Sequence, residues 1–105
     1  MDKKLLQIIN HYGVNHQLRK FNEEAFELEE AIIEIQNKKW NLEGKAPEIV
    51  EPILKDHRLH ITEELADCEV MLLQFKEYYH IDGNDILIIM NEKIKRQLKR
   101  IEEEK

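Results

Sequence analysis

The chain has 105 residues, a formal net charge of −6, 36% charged and 42% hydrophobic residues, and only 3 Gly and 2 Pro. That length fits one small domain, which buries a smaller share of its surface than a larger one would, so oligomerisation is expected. The acidic balance speaks against a general grip on nucleic acid, and the scarcity of Gly and Pro against a turn-rich sheet protein.

Apolar residues recur with helical spacing. Leu5, Leu6, Ile8, Ile9 and Tyr12 predict a short first helix, ended by a left-handed cap at Gly13. A second helix is expected from about Asn15 to Lys38, with Leu18, Phe21, Ala25, Leu28, Ile32 and Ile35 spaced by three and four. From Trp40 to Asp56 the periodicity fails, and Gly44, Pro47 and Pro52 predict a connector over 40–56 with room for one short helix starting at Pro47. Ile61, Leu65, Cys68, Leu72, Phe75 and Tyr79 place a third helix from about His57 to Tyr79. Asp82-Gly83-Asn84 is a turn, with Asp82 or Asn84 as the N-cap of a fourth helix over Asp85 to about Glu103. The fold class is therefore all-α, a four-helix bundle in one domain.

The two central helices share an acidic pattern. Laying Glu24 on Glu64 also lays Glu23 on Glu63, Glu29 on Glu69 and Glu27 on Asp67. With each residue turning the helix by about 100°, Ala31 and Ile35 fall within about 20° of Glu24, inside the edge of the apolar stripe. Glu27 lies on the flank of the same face, and Glu64 and Asp67 repeat this phasing beside Met71 and Phe75. An unpaired buried carboxylate is avoided by protonation, ion pairing or metal binding. Packing the two stripes together draws Glu24, Glu27, Glu64 and Asp67 towards one another, and hard oxygen ligands of this kind suit Mg²⁺ or Mn²⁺. A single acidic pair at this spacing is most often a solvated face; two pairs in matching phase are less readily explained that way. On the fourth helix Lys93, Arg96 and Arg100 share one flank, suited to phosphates or simply a solvated basic face near a helix C-terminus.

Glu23-Glu24-Ala25-Phe26-Glu27 with Glu63-Glu64-Leu65-Ala66-Asp67 resembles the paired acidic signature of MazG-like nucleoside triphosphate pyrophosphohydrolases. Asn91-Glu92-Lys93-Ile94-Lys95-Arg96 is similar to the later N-x-K-F-x-R stretch of that family, with Ile94 in place of the aromatic. The resemblance implies an all-α enzyme that cleaves a nucleoside triphosphate to monophosphate and pyrophosphate. It implies Mg²⁺, with Mn²⁺ as substitute, on Glu24, Glu27, Glu64 and Asp67, and Glu23 or Glu27 as general base. It implies Asn91, Lys93 and Arg96 as substrate-binding residues and a homodimer or homotetramer. The reading from another class is a non-catalytic helical interaction module, or a degenerate relative, whose acids serve solubility or a basic partner.

Other residues weigh less. Trp40 is expected to staple the connector to the helices rather than to stack on a nucleobase. His57 and His60, which share a face one to two turns before Glu64, either extend the metal site or, the preferred reading, form a partly exposed pair on a first helical turn. Cys68, the only cysteine, reads as core packing, excludes an intrachain disulfide and fits a reducing compartment. No apolar run approaches the ~18 residues of a membrane span, and Met1-Asp2-Lys3-Lys4 leads into a helix rather than a secretory signal. No Gly-rich phosphate loop is present. A cytoplasmic protein without membrane contact is expected.

Overall fold

The computed structural model describes residues 2–105, and Met1 lies outside them. They form four α-helices and no strand: α1 (Asp2–Tyr12), α2 (Val14–Asn41), α3 (Pro47–Tyr78) and α4 (Gly83–Glu103). The all-α expectation holds. Among the described residues no helix is long and apolar enough to cross a membrane.

Gly13 alone separates α1 from α2. Its φ of 90° and ψ of 151° give the positive φ expected of it, but an extended ψ rather than a helical left-handed one. This conformation is open almost only to glycine, and it lets a new helix start at once. α1 then folds back so that Leu5 and Ile9 are buried, chiefly through packing against α3.

The two long helices run antiparallel. Near the start of α2, the Gln17 side chain donates a 2.9 Å hydrogen bond to Gln74 near the end of α3, and both are buried. One turn on, Phe21 meets Phe75 edge-on with ring centroids 6.1 Å apart. At the opposite end, Ile35 and Leu42 close a cluster with Leu54, flanked by Val50, Ile53 and Ile61. Pairing the buried amides removes the desolvation cost each would carry alone, so the seam is held in register by a polar contact at one end and aliphatic packing at the other.

That second cluster corrects the expected connector. α2 continues to Asn41, and a helix does start at Pro47, but it runs unbroken through Asp56 into the predicted third helix. The true link is short, around Gly44 with its φ of 83°. Pro47 sits where a first-turn proline is tolerated, since the amide it lacks has no intrahelical partner there. Pro52 is inside the helix and leaves the Glu48 carbonyl without its usual donor. Burial of Val50, Ile53 and Leu54 against the end of α2 offsets that loss, and only packing supplies it.

α3 closes with a Schellman arrangement: the His80 N–H donates to the Glu77 carbonyl and the Ile81 N–H to that of Lys76. His80 takes the left-handed position, φ 55°, usually given to glycine. Asp82 then caps α4, its carboxylate accepting the Asn84 N–H at 2.8 Å. α4 makes no extended contact with the other three helices, and all of its residues are exposed, including Ile86, Met90, Ile94, Leu98 and Ile101.

Candidate metal centre

Glu24 lies on the buried face of α2 with Gln17, Ala31 and Ile35. Its side chain is only 9% exposed, and one oxygen, Oε1, meets the Lys20 ammonium at 3.1 Å. The other, Oε2, is buried without a hydrogen-bond partner. Across the seam on α3, Glu64 repeats this. Its side chain is 13% exposed, its Oε1 lies 3.4 Å from His60 Nε2, and its Oε2 is also buried and unpartnered. Glu27, one turn after Glu24 and on the exposed rim, completes a trio whose carboxylate oxygens lie within 4.8 Å of one another.

The electrostatics follow from that closeness. The charge on Glu24 is the main cause that holds the Glu27 carboxyl above the ordinary carboxylate range; loss of solvation and the charge on Glu64 add to it, and Lys20 opposes. Cys68, buried next to the cluster as the expected core residue, has its thiol pushed up by burial and then by Glu24, Glu64, Asp67 and Glu27. A protonated thiol among carboxylates is an inert neighbour.

A buried acceptor without a donor costs about 1–3 kcal/mol, and more when charged. Two such oxygens on facing helices, with a third carboxylate at the rim, match the needs of a small divalent cation. Mg²⁺ and Mn²⁺ take oxygen ligands and keep positions for water and phosphate. Glu24, Glu27 and Glu64 therefore fit the group expected from the sequence.

The remaining site residues are distributed less compactly. Asp67 is exposed and outside the trio, although its charge reaches Cys68. Glu23 points to solvent, 3.8 Å from Lys20. Asn91, Lys93 and Arg96 lie on α4, which packs on neither α2 nor α3, so one chain does not bring them to the carboxylates. Lys93 and Arg96 instead line a groove on α4 with Gln97 and Arg100.

Two expectations are corrected. Trp40 is 77% exposed and does not hold the link to the helices. His57 and His60 are not on a first turn, because about three turns of α3 precede them. His60 touches the cluster at Glu64, in line with the less favoured reading of its face, and lies 3.8 Å from Glu34 of α2. Lys20 touches the cluster at Glu24 in the same way and belongs to none of the acidic motifs. The signal for both was their position four residues before a buried glutamate, the spacing at which helical side chains meet.

No family model, curated protein or solved structure matches the chain.

Proposed function

We propose that this chain is a Mg²⁺-dependent nucleotide pyrophosphohydrolase, cleaving a nucleoside triphosphate between its α and β phosphorus atoms. The observation that carries the reading is the pair of buried, unpartnered oxygens of Glu24 and Glu64 beside Glu27. The resemblance of both acidic motifs to those of MazG-like enzymes supplies the reaction class. Glu24, Glu27 and Glu64, with Asp67 at the edge, would hold Mg²⁺ or Mn²⁺. Such an ion neutralises phosphate charge and eases deprotonation of an attacking water. Glu23 or Glu27 takes the proton of that water as it attacks the α-phosphorus. The bond from that phosphorus to the bridging oxygen breaks, and monophosphate and pyrophosphate leave.

A homodimer or homotetramer belongs to the same proposal. α4 exposes an aliphatic stripe, and α2 exposes a shallow apolar groove of about 320 Å³ lined by Ala25, Leu28, Ile32 and Ile33. Apolar surfaces of this kind favour burial against another chain. α4 also carries Lys93, Arg96 and Arg100, opposite in charge to the acidic face of α2 and α3. A second copy whose α4 lies along that face covers both apolar surfaces and delivers Lys93 and Arg96 to the carboxylates, where they neutralise phosphate charge. Asn91 is left to contact sugar or base.

The test is pyrophosphate release from a panel of ribo- and deoxyribonucleoside triphosphates with Mg²⁺, with Mn²⁺ and with chelator. Metal-dependent release of pyrophosphate and monophosphate, lost in Glu64→Gln, supports the enzyme and identifies its substrate. The exposed apolar stripe of α4 favours one other reading, a helical interaction module. Silence across the panel, with self-association or partner binding indifferent to Mg²⁺ and to Glu64→Gln, selects it.

A further inference from the structure

We infer that Lys20 and His60 are positioning residues, each holding one oxygen of the glutamate four residues on so that the other, buried oxygen faces a shared divalent cation; this rests on the metal reading above. The geometry is the same on both helices. Lys20 Nζ lies 3.1 Å from Glu24 Oε1, and His60 Nε2 lies 3.4 Å from Glu64 Oε1. In each glutamate it is the other oxygen, Oε2, that is buried and left without a partner. Laying Glu24 on Glu64 lays Lys20 on His60, so the acidic pattern shared by α2 and α3 includes its basic partner.

Exposure gives the arrangement a direction. The Lys20 and His60 side chains are 47% and 44% exposed, against 9% and 13% for the glutamates they touch. The nitrogen approaches from the solvent side, and the unclaimed oxygen is on the buried side. Rotation of a carboxylate about its last bond exchanges its two oxygens, and that torsion is soft. A contact fixed by i, i+4 spacing opposes the exchange and presents the same oxygen each time. His60 is itself steadied across the seam by Glu34, 3.8 Å from its Nδ1. Partners of this kind, outside the ligands, commonly decide how well a metal is held.

Positioning and simple charge predict opposite signs. A cation this close to a carboxylate competes with a divalent ion for it, so if Lys20 acted only as a charge, its removal would tighten metal binding, and a merely passive His60 would leave binding unchanged. A positioning role predicts weaker binding, recovered by a neutral side chain that keeps an N–H donor. Glutamine at the same position does that.

The experiment measures Mn²⁺ binding to the full chain from the spectroscopic signal of free Mn²⁺, alongside metal-free melting temperatures. The variants are Lys20→Ala, His60→Ala, Lys20→Gln, His60→Gln and Glu64→Gln. Each alanine variant is expected to bind Mn²⁺ about 10-fold more weakly or worse, with most of the loss recovered in the matching glutamine variant. Unchanged or tighter binding in the alanine variants, or no recovery with glutamine, overturns the inference; loss of binding in Glu64→Gln then leaves the metal reading standing. Wild-type protein that binds no Mn²⁺ overturns the metal reading and this inference with it.

Discussion

Glu24 on α2 and Glu64 on α3 face each other across the central seam, and each keeps one buried oxygen without a hydrogen-bond partner. Two such groups, closing with Glu27 to within 4.8 Å, place like charges together in a poorly solvated position. A fold that tolerates this without a cation carries repulsion that should be measurable.

Replacing either glutamate by leucine should relieve repulsion and desolvation together. Metal-free Glu24→Leu and Glu64→Leu are expected to melt no lower than wild type, with a gain of about 1 kcal/mol or more where the leucine packs well. Calorimetry without metal checks this. Lower melting in both variants would count against clustered, charged carboxylates.

Divalent metal should reverse that order. Wild-type protein at a free Mg²⁺ or Mn²⁺ concentration of about 100 times the dissociation constant gains roughly 2.7 kcal/mol. Glu64→Gln should show little of this gain in the same melting experiment.

The metal-free protein should also respond to pH through Glu27. Its carboxyl is held above the usual range, by Glu24 first, so folding favours its neutral form. The stabilisation is complete below the ordinary glutamate value and is lost as pH rises through the elevated folded value. As far as Glu27 contributes, stability therefore increases on acidification across that window. Denaturant titrations at stepped pH should show a flatter dependence in Glu27→Gln than in wild type.

Placing acid on the α4 stripe tests assembly. Met90→Asp with Ile94→Asp should convert a self-associated chain to monomer by sedimentation. If Lys93 and Arg96 act on the carboxylates of a second copy, the same variant keeps Mn²⁺ binding and loses pyrophosphate release.

His80 offers a purely conformational check. A non-glycine residue in the left-handed region costs about 1 kcal/mol, so His80→Gly should raise the melting temperature, with metal binding untouched.

The periodicity of Leu5, Ile9, Ile35 and Cys68, the break at Gly13 and a cap in the Asp82–Asn84 turn were legible in the sequence, because each rests on contacts within a few residues along the chain, whereas Leu18, Ile32, Leu65, Leu72 and Tyr79, expected on the same stripes, are exposed. The phase of Glu24 and Glu64 against their stripes was legible for the same reason. The helix through Pro52 was not. A local reading takes proline as a breaker, and only Leu54 against Ile35 and Leu42 supplies the burial that overrides it. The contact of Lys20 with Glu24 was hidden because a basic residue four positions before a glutamate is commonplace on helices, while that of His60 with Glu64 was open in the sequence only as the less favoured reading of its face. Four helices and the shared phase of the carboxylates are local properties, since both follow from about 100° per residue. The meeting of Glu24, Glu27 and Glu64 with Asp67 left at the edge, and the separate position of α4 with Lys93 and Arg96, are not local. Those outcomes depend on the register and direction in which whole helices pack, which no repeat within a single helix encodes.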